Sequence, residues 1–315
     1  MELIRGLHNL REHHRGCVAT IGAFDGVHLG HQAVVRALIA KARAMDLPST
    51  VIVFEPLPRE FFAPKQAPAR IQSFREKAAS LEQLGVDRLL RVRFDRGFSR
   101  MTAEDFIQRI FVDGLGVQFL MVGDDLRFGN GREGDFRMLQ DWGDRHGYTV
   151  ERSETLEVEG ERVSSTRIRG VLAEGDFALA ERLLGRPYSI TGKVIYGRQL
   201  GRQIGSPTAN LELHRLRAPL SGVYVSEVSG VAAHLWPAVA NVGTRPTVND
   251  SIKANLEVHL LDFHGNLYGK TIEVQFRQAV RPEQKFDSLD ALTAQISRDI
   301  ATTRQFFEGP VSAGD

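Results

Sequence analysis

The sequence predicts a two-domain α/β protein, with a doubly wound parallel sheet in its N-terminal half and antiparallel strands in its C-terminal half. Its 315 residues suffice for about two domains at roughly 150 residues each. Between residues 17 and 153, apolar runs alternate with helical patterns, which indicates a parallel sheet with helices on both faces. After about Arg186, apolar residues recur at every second position, which is typical of antiparallel strands.

Five apolar runs are the predicted strands of the parallel sheet. In chain order they are CVATIG (17–22), STVIVF (49–54), LLRVRF (89–94), VQFLMVG (117–123) and YTVERS (148–153). Helices are predicted over 31–45, 73–85, from 102 onward, near 135–146, and over 166–174 and 176–184. Ser73 and Glu76 form a capping-box pattern at one helix start, and Thr102 is an N-cap residue at another. The last two helices are the predicted hinge, so we expect domains over 1–184 and 185–315.

The C-terminal half contains three segments in which apolar and polar residues alternate, at 222–228, 255–263 and 270–276. In the middle segment, Leu256 and Val258 share one face while Glu257 lies on the other. Several short strands separated by Gly and Pro turns predict an antiparallel barrel or a sandwich. A final amphipathic helix is expected to face inward with Leu289, Leu292, Ile296 and Ile300.

The composition excludes several classes of protein. The 40 Lys+Arg and 39 Asp+Glu residues give a net charge of +1, without the basic bias that makes nucleic acid a default partner. A single cysteine, Cys17, excludes an intrachain disulfide and a multi-cysteine metal site. No apolar run approaches the ~18 residues that span a bilayer, and the N-terminal residues lack a signal-peptide pattern. We therefore expect a cytoplasmic protein with no membrane association and no nucleic-acid partner.

The segment after the first predicted strand carries the pattern His28-Leu29-Gly30-His31 at a helix start. Ligands of open α/β sheets bind beyond the carboxyl ends of the strands, and a helix N-terminus suits an anion. Gly30 lets the backbone approach a phosphate, and two imidazoles can hydrogen-bond its oxygens. The alternative is that both histidines only pack the loop, but the strand–turn–helix setting favours phosphate binding. No GxxxxGK[ST] loop is present, which excludes a P-loop kinase or ATPase.

Two further polar clusters follow the strands of the parallel sheet. Asp125 comes directly after the fourth strand, at the edge where the ligand of such a sheet binds. Ser165, Thr166 and Arg169 come after the fifth strand and a hairpin-like segment, and hydroxyls with arginine suit a polyphosphate. Taken alone, this last pattern favours a helix cap followed by solvated arginines.

The densest motif of the C-terminal half is GRQLGRQIGSPTANL (197–211). Gly197 and Gly201 permit close backbone approach and Arg202 can complement phosphates, although a turn-rich hairpin with a solvated basic face is an equal alternative. Thr208 and Asn210 share a side of an extended segment, where their oxygens suit Mg²⁺. Glu257 is the candidate base for an attacking hydroxyl, and the competing interpretation is an exposed strand carboxylate.

The chain resembles the bacterial bifunctional riboflavin kinase/FMN adenylyltransferases, also called FAD synthetases. In the N-terminal half the resemblance is carried by GAFDGVHLGH (22–31), FEPLPREFF (54–62), VGDDLRFG (122–129) and SSTRIR (164–169). In the C-terminal half it is carried by GRQIGSPTANL (201–211), NVGTRPT (241–247), LEVHLLDF (256–263), LYGK (267–270) and RPEQKF (281–286). It covers roughly residues 17–306 and implies a nucleotidyltransferase-like domain followed by a six-stranded antiparallel β-barrel with a closing helix.

The resemblance also implies two reactions and the residues that serve them. Riboflavin and ATP would give FMN and ADP in the barrel domain, and FMN and ATP would give FAD and pyrophosphate in the α/β domain. His28 and His31 would stabilise the reacting α-phosphoryl group, Glu257 would activate the ribityl hydroxyl, and Thr208 and Asn210 would bind Mg²⁺. The implied nucleotide- and phosphate-binding residues are Gly22, Phe24, Gly30, Ser165, Thr166, Arg169, Gly197, Gly201 and Arg202. Asp125 would lie on the flavin side.

Three residues depart from the pattern of that family. Leu57 stands where the family usually has His, Leu126 where it usually has Phe, and Ser206 where it usually has Phe. The first two leave open a riboflavin kinase with a weak or inactive adenylyltransferase domain. A nucleotide-sensing or nucleic-acid-binding module on a basic barrel is the alternative outside enzymes. It would bind oligonucleotides with a steep salt dependence, but residues 198–215 lack aromatics for base stacking.

Overall fold

The computed structural model describes residues 1–197, 206–246 and 252–309. The chain forms two compact units. The first unit comprises Met1–Pro68 and Phe74–Ser164, and the second comprises Ala69–Ser73 and Ser165–Asp315. The predicted positions Gly201 and Arg202 lie outside the described residues.

A six-stranded sheet forms the centre of the first unit, and all its neighbouring strands are parallel. Its strands are β1 (Glu2–Arg5), β2 (Cys17–Ile21), β3 (Ser49–Glu55), β4 (Arg88–Arg93), β5 (Val117–Val122) and β6 (Thr149–Arg152). Their spatial order is β1-β4-β3-β2-β5-β6. The five predicted strands are confirmed. The edge strand β1 was not predicted, because it is short and lacks an apolar run.

Helices cover both faces of this sheet, which confirms the doubly wound prediction. They are α1 (Leu29–Ala44), α2 (Pro58–Phe62), α3 (Phe74–Gln83), α4 (Ala103–Phe106), continued by a π-helix at Ile107–Val112, and α5 (Phe136–His146). Adjacent residues of β2 point to opposite cores. Val18 packs with Leu38 of α1 and Leu81 of α3, whereas Ala19 lies in the cluster that holds Phe106 and Leu139. Because both faces are buried, the strands are continuously apolar.

The strand order reverses beside β2, and this reversal locates the ligand crevice of the first unit. The chain runs from β2 outward to β3 and β4, and then returns to β5 on the other side of β2. The carboxyl ends of β2 and β5 therefore flank a topological switch point, where such sheets bind ligands. Gly22 and Gly123 directly follow these two strand ends.

The second unit contains a closed antiparallel barrel with the order β10-β13-β12-β11-β14-β9. A hairpin of β7 (Glu157–Val158) and β8 (Glu161–Arg162) comes before this unit in the chain. The barrel strands are β9 (Ser189–Ile195), β10 (Ala209–Glu212), β11 (Gly222–Ser229), β12 (Trp236–Pro246), β13 (Ile252–Leu260) and β14 (Thr271–Arg281). The helices are α6 (Ser165–Glu174), α7 (Phe177–Leu184) and α8 (Leu289–Glu308). The barrel and the closing helix are thus confirmed, and helices are present at the two positions predicted for the hinge, although both belong to the second unit.

The inward face of α8 differs in part from the prediction. Leu289 is 59% exposed, so its predicted inward position is wrong. The buried residues of α8 are instead Asp299 and Thr303. Asp299 accepts hydrogen bonds from Arg281 of β14 at 2.8 and 3.0 Å, so the inward face of the helix includes an ion pair. Ile300, which was predicted to face inward, packs against the cluster that contains Val223.

Within the described residues, no helix has both the length and the apolar character needed to cross a membrane.

Candidate active sites

The loop between β2 and α1 has an unusual backbone. Phe24 and Val27 have positive φ angles of 46° and 38°, and Gly26 has a φ of 92°. Such angles cost of the order of 1–3 kcal/mol at each non-glycine residue and concentrate at functional sites. The side chains of Phe24 and Val27 are buried in the core beneath α1, which explains how the fold holds this conformation.

The two predicted histidines meet at the N-terminus of α1. His28 is the N-cap residue, and its Nδ1 accepts a hydrogen bond from the backbone N–H of His31 at 3.3 Å. Their rings are stacked, with centroids 3.6 Å apart and an interplanar angle of 17°. The ring of Phe24 lies 5.0 Å from that of His31. The N-terminus of α1 with its helix dipole and two imidazoles therefore converge where an anion can bind.

Glycines leave the space that this arrangement needs. A Cβ on Gly30 would lie 3.2 Å from the His28 ring and 3.4 Å from the carbonyl oxygen of Val163. A Cβ on Gly22 would lie 3.1 Å from the ring of Phe24. The absence of a side chain at these positions therefore leaves room for the His28 ring beside Gly30 and for the Phe24 ring beside Gly22. Gly30 in addition keeps the first helical turn accessible.

The imidazole of His31 is held in its neutral form. Burial, the charge of His28 and the charge of Lys77 together lower its pKa well below the ordinary histidine value of 6.5. Its Nδ1 is buried and has no hydrogen-bond partner among the described residues. A neutral ring can donate a hydrogen bond to a phosphate oxygen without adding a second positive charge beside Lys77.

The loop after β5 brings Asp125 to the other side of the switch point. Asp125 is exposed, and a Cβ on Gly123 would lie 3.1 Å from its Oδ1. Leu126 is half-buried and packs against the core cluster on its face of the sheet. Asp125 is therefore placed at the predicted edge, whereas the Leu126 side chain serves packing.

Sequence reasoning missed an aromatic cluster at the carboxyl ends of β3 and β4. Phe61, Phe62 and Phe94 contact one another edge to face, with centroids 5.2 to 5.7 Å apart. Phe62 is 67% exposed, although large aromatic side chains are normally covered. Leu57, one of the departures, is nearly buried at the start of α2. An exposed ring at this edge can stack on a planar ligand. In the sequence, the aromatic residues of the run FEPLPREFF (54–62) are the feature that could have predicted this cluster.

The predicted phosphate-binding residues Ser165, Thr166 and Arg169 belong to the second unit. Ser165 begins α6, Thr166 is exposed and Arg169 is half-buried. The Nε of Arg169 donates to the carbonyl oxygen of Ala69 at 2.6 Å. His28 and His31 belong to the first unit, whereas these three residues belong to the second.

The barrel register brings the predicted kinase residues together. Asn210 of β10 lies directly opposite Glu257 of β13, so the two side chains are on the same face. On the other side of Glu257, the directly opposite residue is Asn241 of β12. Asn255 donates a hydrogen bond from Nδ2 to Glu257 Oε1 at 3.2 Å. Amide groups thus surround a half-buried carboxylate.

Two contacts fix the segment that carries Thr208 and Asn210. A ring nitrogen of His259 hydrogen-bonds the carbonyl oxygen of Pro207 at 2.9 Å. A Cβ on Gly197 would lie 2.3 Å from Nδ2 of Asn210, so only glycine fits there. Asn210 is 6% exposed, and Thr208 is half-buried just before β10. The departing residue Ser206 is also half-buried.

Comparisons with known proteins match both units. A family model described as FAD synthetase matches residues 10–167, and one described as riboflavin kinase matches residues 184–307. The chain is 54% identical over 304 residues to the bifunctional riboflavin kinase/FMN adenylyltransferase of Pseudomonas fluorescens, covering 96% of this chain and 97% of that protein. The enzyme of the same description from Escherichia coli is 51% identical over 308 residues, with 98% of each covered.

The fold also matches a solved structure. A crystal structure described as a macrolide-efflux protein from Streptococcus pneumoniae aligns with a TM-score of 0.76 and 31% identity. The alignment covers 96% of this chain and 99% of that one. With both family models and near-complete alignment to curated relatives, the chain belongs to the family of bifunctional riboflavin kinase/FMN adenylyltransferases.

Proposed function

We propose that this chain makes flavin cofactors in two steps. It phosphorylates riboflavin with ATP to give FMN and ADP, and it adenylylates FMN with a second ATP to give FAD and pyrophosphate. The observation that supports the proposal is that each unit brings together polar side chains suited to phosphate chemistry. The stacked pair His28 and His31 lies in the first unit, and Asn210 faces Glu257 in the second.

The adenylylation is catalysed by position and charge. A phosphate oxygen of FMN attacks the α-phosphorus of ATP, the bond to the bridging oxygen breaks, and pyrophosphate leaves. His28 and His31 donate hydrogen bonds to the α-phosphoryl oxygens, where negative charge builds up in the transition state. Gly22, Phe24 and Gly30 shape this loop, Asp125 lies on the flavin side, and Ser165, Thr166 and Arg169 bind the departing phosphates. No covalent enzyme intermediate is required.

The phosphorylation needs a base, because a ribityl hydroxyl is a weak nucleophile. Glu257 accepts the hydroxyl proton while the oxygen attacks the γ-phosphorus of ATP and ADP leaves. Gly197, Gly201 and Arg202 belong to the segment that holds the nucleotide phosphates. Thr208 and Asn210 would hold Mg²⁺, since hydroxyl and amide oxygens are hard ligands and a carboxylate faces Asn210. When bound, this ion would neutralise phosphate charge.

Each reaction is assigned to one domain, over 1–184 for adenylylation and 185–315 for phosphorylation. The FAD synthetase model matches residues 10–167 and the riboflavin kinase model matches residues 184–307, and a change of model near residue 184 supports the division. The small-molecule substrates are riboflavin, FMN and ATP. We place the enzyme in the cytoplasm, where ATP is supplied, without a nucleic-acid or membrane partner.

One assay tests the proposal directly. The protein is incubated with riboflavin, ATP and Mg²⁺, and riboflavin, FMN and FAD are separated by chromatography. Successive formation of FMN and FAD is expected. FMN without FAD, even when FMN is supplied, would instead establish a riboflavin kinase with an inactive adenylyltransferase domain. Omission of Mg²⁺ with a chelator should stop FMN formation.

Gly197→Ala should impair phosphorylation alone. The new methyl group would overlap the buried side chain of Asn210, whose displacement moves a proposed metal ligand. Misplacing such a group by about 1 Å can lower the rate by ~100-fold, so we expect a 10- to 100-fold loss of FMN formation. FAD formation from supplied FMN is the internal reference. Gly170→Ala is the matched control, because its Cβ meets no atom within 4 Å; equal rates for both variants would contradict this prediction.

A fragment covering 165–315 should phosphorylate riboflavin but make no FAD, because it lacks His28 and His31. It retains Phe177, whose ring lies 5.6 Å from Tyr224 and 6.1 Å from Phe276. It lacks the carbonyl oxygen of Ile71, which accepts hydrogen bonds from Arg215 and Tyr188, so its Tm should be lower than that of the full chain. FAD formation by this fragment would refute the assignment of adenylylation to the N-terminal domain.

A further inference from the structure

A lysine lies buried beneath the loop that precedes the histidine pair. Lys77 is on α3 and only 1% of its surface is exposed. Lysine is almost never fully buried without a partner, because the ammonium group loses its hydration. Here Nζ donates a hydrogen bond to the backbone carbonyl oxygen of Ala23 at 2.6 Å. The buried ammonium group thus binds a backbone carbonyl of the loop between β2 and α1.

The position of Ala23 makes this contact consequential. It immediately precedes the stretch in which Phe24, Gly26 and Val27 adopt positive φ angles. A strained backbone keeps its conformation only when surrounding contacts hold it. Lys77 supplies such a contact from a neighbouring helix, and the loop that it holds ends at the N-cap residue His28.

The same ammonium acts on His31 electrostatically. The charges of His28 and Lys77 both lower the pKa of this imidazole, in addition to the larger effect of burial. A cation at this position therefore favours the neutral ring. The side chain of Lys77 therefore acts on the histidine pair in two ways, through its hydrogen bond to Ala23 and through its charge near His31.

We propose that Lys77 is a positioning residue for adenylylation: its buried ammonium fixes the loop between β2 and α1 so that His28 and His31 keep their stacked arrangement toward the α-phosphoryl group. This inference rests on the proposed adenylyltransferase function. Lys77 does not contact the reacting atoms in this assignment. It acts through the carbonyl of Ala23 and through the protonation state of His31.

The decisive variant is Lys77→Met, which keeps an unbranched side chain but removes the donor and the charge. We expect kcat for FAD formation from supplied FMN to fall about 10- to 100-fold, the range that a small displacement of catalytic groups produces. KM for ATP should change less than threefold. FMN formation from riboflavin, measured on the same preparation, should stay within twofold. Lys41→Met is the matched control, because Lys41 lies on α1 over the ring of Phe119 and does not bind the loop.

The pH profile separates positioning from a general loss of stability. Adenylylation needs neutral His31, so it should decline as the pH falls through the pKa of that ring. Removing the charge of Lys77 raises this pKa toward the ordinary histidine value of 6.5, so the decline in Lys77→Met should begin at higher pH. Lys77→Arg restores a cationic donor and should recover at least part of kcat together with the original acid limb.

Several outcomes would overturn the inference. FAD formation within threefold of wild type in Lys77→Met, with an unchanged acid limb, would remove Lys77 from the mechanism. Equal losses of both reactions with a lower Tm would make its role structural. If the Met variant does not fold, Lys77→Leu, which likewise lacks the donor and the charge, replaces it under the same criteria. Absence of FAD formation by the wild-type protein would refute the proposed function itself, a result distinct from these.

Discussion

Glu257→Gln should abolish most of the riboflavin kinase activity while FAD formation from supplied FMN continues. Loss of a general base typically costs about 10²–10⁴ in rate, and we expect the kinase kcat to fall within that range. Glutamine keeps the size of the side chain and one acceptor oxygen, so Asn255 can retain a partner for its Nδ2. What disappears is the basicity that the ribityl hydroxyl needs.

The position of Glu257 makes this the sharpest test of the barrel site. The carboxylate lies between Asn210 and Asn241 in the register and receives a hydrogen bond from Asn255. Binding of riboflavin and ATP should be nearly unchanged, because the substitution leaves Gly197 and Thr208 in place. The loss should therefore appear in kcat rather than in KM.

The control is a second carboxylate on a barrel strand. Glu212 of β10 is exposed and pairs with Lys193 in the register, so Glu212→Gln should leave both reactions near wild-type rates. Kinase turnover of Glu257→Gln within about threefold of wild type lies outside the general-base range. Such a value would support the competing interpretation of Glu257 as an ordinary strand carboxylate.

The elements that could be predicted from the sequence are those with a local or repetitive residue pattern. The buried strands β2, β3 and β5 are mostly apolar because both sheet faces are covered. Thr102 caps its helix as predicted, since its Oγ1 accepts a hydrogen bond from the N–H of Asp105 at 3.1 Å. His28 and His31 were found because their site is local, a strand end followed by a helix start.

Other features depend on contacts between distant parts of the chain. Strand β12 was not predicted because Pro237, Gly243 and Pro246 are typical of turns, yet its neighbours β11 and β13 hold it in the barrel. The apposition of Asn210 and Glu257 depends on strand register, which the spacing of 47 positions does not reveal. Lys77 has the sequence appearance of a solvated helix residue, and only the fold shows its burial.

Removal of the His31 ring should impair adenylylation and spare the kinase, which is the reverse of the pattern expected for Glu257→Gln. His31→Ala should lower FAD formation by about 10²–10³, the typical cost of losing one preorganised contact to the transition state, and leave FMN formation unchanged. His146→Ala is the matched control, because that histidine stacks on Trp142 within the same unit at a ring distance of 5.0 Å. Equal impairment of both reactions, or normal adenylylation, would contradict the role assigned to His31.

The same variant carries a stability signature with a definite sign. In the folded protein the pKa of His31 lies well below 6.5, whereas the unfolded chain protonates this ring near 6.5. Between these two values the unfolded state binds more protons, so the free energy of unfolding decreases as the pH falls below 6.5. His31→Ala removes that contribution, and its Tm should decline less steeply with acid than that of wild type. Since Nδ1 of His31 has no partner among the described residues, its loss breaks no hydrogen bond of that atom. A variant that loses adenylylation while gaining acid resistance would show that the neutral, buried state of this ring is kept for the reaction rather than for the fold.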